Sequence, residues 1–266
     1  MKLLAALRAL RVMFGLPPEK RSRLIEIILS RVGLHGVPFT FMEDGLCTIH
    51  NSDFKNDIRF KRSYQQGFKT NSWRGWDLRW RAYFLCSFAE LSSGLEGDFV
   101  ECGVNLGGNA KMLIDFLPFK TLQKRFYLFD TFCGFDKSLL SKLERAKVSK
   151  HYDYFSCFDR VKRTFRNYRF VSIIKGSVPS SLKNTDIKRV CFLSIDMNCV
   201  RPEISAFRFF WPRLSPGGVV MLDDYGFKDH LRQKEAFDSL GKALNFKIIQ
   251  LPTGQGLIIK PYASQI

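Results

Sequence analysis

No stretch of about 18 uncharged apolar residues occurs in this chain of 266 residues, so a membrane-spanning helix is not expected. Metal-binding and disulfide patterns are missing too. The seven cysteines, Cys47, Cys86, Cys102, Cys133, Cys157, Cys191 and Cys199, form an odd set without a CxxC pair. The four histidines are scattered and no HExxH occurs, so a zinc site has no support. Cys102 and Cys191 sit inside apolar runs, and reduced thiols acting as small hydrophobes in a cytoplasmic protein are the expectation. Repeats and low-complexity segments are absent. Acidic residues are the scarce charge: 25 Asp and Glu face 42 Lys and Arg, a formal net charge of +17. That excess favours nucleic acid, anionic lipid or phosphorylated molecules as partners. No RNP motif, zinc finger or KH loop accompanies it, which argues against dedicated nucleic-acid recognition.

What the chain does contain is enough apolar residue, 45% of the total, for one sizeable core. Its opening MKLLAALRALRVMFGL is interrupted by Arg8 and Arg11, and no small-residue cleavage site follows. The segment reads as a basic amphipathic helix, packed on the body or lying peripherally on an anionic membrane. Residues 1–75 show no strand-and-helix rhythm: after the PP break at Pro17 and Pro18 come a helical stretch, RLIEIILSRV, and a loop-rich region. They are expected to form an extension or cap, with the main domain over 76–262 and a short tail at 263–266. The run RVKRTFRNYR, residues 160–169, carries five basic side chains. It reads as a solvated helix face behind Phe158, Val161 and Phe165, with an anion-binding face as the alternative.

From residue 76 onward strand and helix signals alternate. Strand-like runs are FVECG (99–103), RFYLFD (125–130), FVSIIKG (170–176), VCFLSID (190–196), GVVMLDD (218–224), FKIIQL (246–251) and GLIIKP (256–261). Helical patterns fall at 108–117, 158–168, 202–211 and 231–244. Continuous apolar strands alternating with helices predict an α/β fold with a mostly parallel sheet covered on both faces. The last two strands have hairpin spacing, which makes the final one antiparallel.

Several strands end in acids: Glu101, Asp130, Asp196, and the pair Asp223 and Asp224. In open α/β sheets ligands bind beyond the carboxyl ends of the strands, so these tips point to one shared site. After Glu101 come Gly103, Gly107 and Gly108, which let a backbone approach a ligand before the next helix offers its free N–H groups. A carboxylate beside that turn suits an ammonium or sulfonium better than a pyrophosphate. Asp130 stands where doubly wound folds place an acid for ribose hydroxyls. S-adenosylmethionine carries all three features.

The series FVECGVNLGG, YLFDTFCGF, FLSIDMNCVRPEISAF, LSPGGVVMLDDYGF and LPTGQGLIIK resembles the macrocin O-methyltransferase, or TylF-like, family of class I S-adenosylmethionine-dependent methyltransferases. The resemblance covers residues 76–261 and not the N-terminal segment. It implies a Rossmann-like sheet of seven strands with an antiparallel last strand, and O-methylation of a hydroxyl on a sugar or glycosylated small molecule. It also implies Mg²⁺ held by Asp196, Asp223 and Asp224, a donor set that suits a hard ion. The alternative for the pair is that Asp224 caps the following turn and Asp223 faces solvent. Ser177 falls where class I methyltransferases usually contact adenine or ribose.

One departure affects catalysis. Where some members read D-x-D, this chain has Asp196, Met197, Asn198, and an amide cannot take up a proton at neutral pH. His230 is the substitute candidate for general base, beside a hydrogen-bonding role for Asn198. Arg79 and Arg81 are weaker candidates, for an anionic substrate or for structure. Two other functions stay open: an RNA methyltransferase, and a catalytically inactive binding protein of this fold at an anionic membrane surface. A homo-oligomer stays open as well.

Overall fold

The computed structural model describes residues 37–151 and 155–262, together with Pro17, Lys20 and Arg23. The expected basic helix at the N-terminus, the stretch RLIEIILSRV and the tail 263–266 lie outside the described residues. Among those described, no helix is long and apolar enough to cross a membrane. The chain divides into two compact units, residues 1–54 and 55–266.

In the first unit, β1 (Phe41–Glu43) and β2 (Leu46–Thr48) pair antiparallel, with Glu43 opposite Leu46. Asp44 and Gly45 between them both have positive φ, 52° and 72°, the geometry of a tight hairpin turn whose twist matches the strands.

The second unit starts earlier than the sequence reading placed it. Helix α1 (Ile58–Phe68), which fell inside the expected extension, buries Phe60, Ser63, Tyr64 and Gly67, a three-and-four spacing that makes one face. Asp57 caps it by accepting from the Phe60 N–H at 2.7 Å. The buried face packs on α3 (Gly108–Phe116), and Arg62 and Ser63 both reach Asp115. Residues 58–68 therefore belong with the body. Helix α2 (Arg79–Ser92) comes next, then β3 (Asp98–Cys102), α3, a one-turn helix α4 (Phe119–Leu122) and β4 (Phe126–Asp130). Helices α5 (Lys142–His151) and α6 (Phe158–Phe165) lead to β5 (Val171–Lys175). The chain then forms β6 (Val190–Ile195), α7 (Val200–Phe210), β7 (Leu214–Leu222), α8 (Leu231–Leu244), β8 (Ile249–Gln250) and β9 (Gly256–Ile259).

The seven strands order β5-β4-β3-β6-β7-β9-β8, and only β9 runs against the other six. This is the expected seven-stranded sheet with its reversed last strand. Every residue of β6 is buried, as befits a central strand covered on both faces. Phenylalanines fill both layers. Phe99, Phe119, Phe126 and Phe192 stack together, and Phe207 contacts Phe237, Phe246 and Trp211. The chain winds outward from β3 through β4 to β5, then returns to β6 on the other side of β3. The order thus reverses between β3 and β6, and a crevice opens beyond their carboxyl ends.

Candidate active site

Gly103, one step past the end of β3, sits at that crevice with φ 93°. A Cβ there would lie 1.7 Å from the backbone oxygen of Asp196, so any larger residue would push the β3 and β6 tips apart. The loop climbs from Gly103 to Gly107, which at φ 82° takes the left-handed conformation that starts α3. Asp130 organises this loop. Its Oδ2 accepts from the N–H groups of Val104 at 2.7 Å and Asn105 at 2.9 Å, and its Oδ1 accepts from Phe132 N–H at 2.6 Å. Thr131 Oγ1 adds a weaker bond at 3.3 Å.

Glu101 differs from Asp130. It is 1% exposed, and its Oε2 has no hydrogen-bond partner. Its carboxyl accepts from the Ala110 N–H and the Asn109 side chain. Burial pushes its pKa well above the ordinary range, and the charges of Asp130 and Asp223 push the same way. A buried carboxyl with an unanswered oxygen in a cavity wall is a place for a cation.

Glu101, Gly103, Asp130, Ser177, Asp196 and Asn198, from the ends of four strands, line one cavity. Gly107 shapes the loop without lining it. Aromatic side chains that sequence reasoning did not single out complete the wall: Trp73, Phe132, Phe135 and Phe155. Asn109 was missed as well; its signal was its place at the start of the helix after the glycine turn. The block YLFDTFCGF held Phe132 and Phe135, but nothing in periodicity said that they face a cavity.

The β6 and β7 tips are arranged differently. Asp196 accepts from the Asn198 side-chain amide at 2.9 Å, and burial with the nearby Asp223 and Asp224 charges raises its pKa strongly. Asp223 does not face solvent. Its Oδ2 accepts from Arg81 Nη1 at 2.5 Å, and Gln255 Nε2 approaches its Oδ1 at 3.5 Å. Asp224 lies with its Oδ2 3.6 Å from His230 Nδ1. Among the described residues no group of three or more acid, histidine or cysteine side chains is set to hold a metal. The arrangement does not support the expected magnesium centre at Asp196, Asp223 and Asp224: a guanidinium engages Asp223 and an amide engages Asp196.

His230 is buried and does not line the cavity. Gln233 Nε2 donates to its Nδ1 at 2.7 Å. Burial and then the charge of Lys147 lower its pKa to about 4, so the ring is neutral at pH 7 and its approach to Asp224 is not an ion pair. The two weaker arginine candidates separate: Arg79 pairs with Asp77 in solvent, whereas Arg81 is buried and lines the cavity.

The family model for macrocin-O-methyltransferase (TylF) matches residues 86–245. The mycinamicin III 3''-O-methyltransferase of Micromonospora griseorubida is 24% identical over 151 residues, which are 53% of this chain and 59% of that protein. The 8-demethyl-8-(2,3-dimethoxy-alpha-L-rhamnosyl)-tetracenomycin-C 4'-O-methyltransferase of Streptomyces olivaceus is 25% identical over 151 residues, 53% of this chain and 57% of that protein. The match thus spans under three fifths of the length of both curated relatives. Among solved structures, the O-methyltransferase NovP superposes with a TM-score of 0.64 at 19% identity, over 79% of this chain and 98% of that one. Calicheamicin methyltransferase CalS11 gives 0.56 at 13% identity, over 79% and 94%. At these identities the two structures show a shared fold.

Proposed function

The chain belongs to the macrocin-O-methyltransferase (TylF) family, and from that premise we propose that it transfers a methyl group from S-adenosylmethionine to a hydroxyl of a sugar or glycosylated small molecule. The observation that carries this reading is Glu101, a buried carboxyl with one unanswered oxygen at the switch point of the sheet. The donor's ammonium answers that oxygen. The aromatic wall takes its flat base, and the amide-lined turn held by Asp130 leaves room for the ribose and the amino-acid portion. The sugar acceptor is supported by the relatives, both named as O-methyltransferases and one of them as acting on a rhamnosyl compound.

Methyl transfer is an in-line displacement. The acceptor oxygen forms a bond to the sulfonium methyl as the carbon–sulfur bond breaks, its electron pair returns to sulfur, and the acceptor proton passes to solvent. Holding the two reactants in line supplies roughly 7–11 kcal/mol of the acceleration. Asp196 and Asn198 are the polar side chains of the β6 tip in the cavity wall, so the acceptor hydroxyl is placed there. Asn198 orients it by hydrogen bonding. His230 stands outside this wall. The resemblance also suggests Mg²⁺, but the aspartates as arranged do not support it.

Calorimetric titration with S-adenosylmethionine tests the donor half, and transfer of a labelled methyl group to a panel of glycosides and nucleotide-linked sugars tests the acceptor half. Stoichiometric donor binding and a labelled sugar ether are expected. A protein that bound no donor would end the methyltransferase reading.

A further inference from the structure

Arg81 comes from α2, well before the first strand of the sheet, yet it ends at the tip of β7. Helix α2 packs on β7, which carries the side chain there. The Arg81 and Asp223 side chains retain 11% and 15% exposure, and Nη1 donates to Oδ2 at 2.5 Å. The same nitrogen lies 3.4 Å from the Asp223 backbone oxygen. The guanidinium rests on the ring of Phe227, 4.7 Å from its centroid. It is thus held from three sides: by its own helix, by a carboxylate and by an aromatic face.

We propose that Arg81 is a resident cation occupying the place that the family resemblance gives to a divalent metal, so that the acceptor side of this site works without one. The proposal rests on the methyltransferase reading for the identity of the site, but not for the charge arrangement itself. Three acids gathered at the β6 and β7 tips need positive charge nearby to stay together. A guanidinium supplies it permanently, since it does not lose its proton and its planar fork matches a carboxylate. A divalent ion would have to break the Arg81–Asp223 pair and leave a buried guanidinium beside two further positive charges. The neighbouring substitutions go the same way. Asn198 stands at the second acid of the D-x-D pattern and donates its side-chain N–H to Asp196, which engages one of the expected ligand oxygens. Gln255, 1% exposed, turns its amide toward the second oxygen of Asp223. An octahedral magnesium shell needs several oxygens facing one point, and Asp196 and Asp223 face hydrogen-bond donors instead. Arg81 therefore acts as a positioning residue: it fixes the Asp223 carboxylate and sets the charge of the cavity wall that it also lines.

Manganese, a paramagnetic stand-in for magnesium, tests this by electron paramagnetic resonance on the full chain. The wild type should show no saturable Mn²⁺ binding up to about 1 mM. Arg81→Met removes the charge at similar length, and it should gain Mn²⁺ binding at least about tenfold tighter than wild type, lost again in Arg81→Met with Asp223→Asn. Arg81→Lys keeps a cation and should still exclude Mn²⁺. Saturable binding to the wild type that Asp223→Asn abolishes would overturn the proposal. So would an Arg81→Met protein that is folded, by its S-adenosylmethionine binding, and still takes up no Mn²⁺. Should Arg81→Met fail to fold, the wild-type titration alone decides. A wild type that bound neither donor nor Mn²⁺ would sink the methyltransferase reading while leaving the charge arrangement standing.

Discussion

The two halves of the crevice solve the same problem, buried acid, in opposite ways. On the β3 and β4 side, Asp130 is saturated by backbone amides and Glu101 is left with an open oxygen. On the β6 and β7 side, Asp196 and Asp223 are answered from within the chain, by Asn198 and Arg81. One half is prepared to receive a charge and the other has already supplied its own. A cationic donor on the first side and a neutral hydroxyl on the second fit that division, because a buried carboxyl oxygen without a partner costs free energy that a ligand can recover.

The most severe way to break the comparison is to separate the halves. Gly103→Ala puts a methyl carbon 1.7 Å from the Asp196 backbone oxygen, and a loss of more than about 4 kcal/mol or failure to fold is expected. Chemical denaturation measures it; a variant within about 1 kcal/mol of wild type would show that the two tips are not in contact.

Glu203 sharpens the β6 side. It sits in the first turn of α7, accepts from the Met197 N–H at 3.2 Å, and burial raises its pKa from 4.5 to about 8. The unfolded chain loses this proton near the ordinary value while the folded chain keeps it to about 8, so its contribution to stability falls as pH rises between these values and levels off above. Glu203→Gln should remove that fall and gain on the order of 3 kcal/mol over wild type between pH 5 and 8. Melting temperatures across that range check it. A gain independent of pH would mean that the carboxyl is not held protonated by the fold.

Glu101→Gln tests the receiving half. Donor affinity should weaken by about 10- to 100-fold, the worth of a charge-assisted bond, with the fold intact. Calorimetry reads this directly, and unchanged affinity would remove Glu101 from donor binding. The smallest effect is expected at His230, since it stands behind Asp224 and not in the cavity wall. His230→Ala should lower kcat by less than about 10-fold, against the 10² or more that a general base contributes. A larger fall, with the pH–rate profile altered, would restore His230 as the base.

Much of the sheet was legible because strand and helix periodicity are local properties. The run at 231–244 reads as a helix and is one, and the apolar strand runs match the seven strands to within a few residues, except that β7 begins at Leu214 and β8 is short. Helix α1 was harder to read. Its apolar face holds Ser63 and Gly67 beside two aromatics, so the pattern is weak until α3 is placed against it. The hairpin turn at Asp44 and Gly45 had a local signal that the loop-rich surroundings obscured. At the site, the acids at the strand tips were legible as a group, because a parallel sheet puts all its strand ends on one edge. Their partners were not. Asp130 reads as a ribose acid, yet its bonds to the loop amides are not in the pattern, and Arg81 reads as one arginine of WDLRWR until α2 is laid on β7.

The amino-acid sequence by itself determined the α/β architecture, the reversed last strand and the gathering of five acids at one edge, since each follows from residue order and period alone. Only the tertiary structure decided which acid keeps an open oxygen and which is paired. That depends on residues as far apart as Arg81 and Asp223 arriving within 2.5 Å of one another, and electrostatics in a buried site is set by such distances and by exclusion of water.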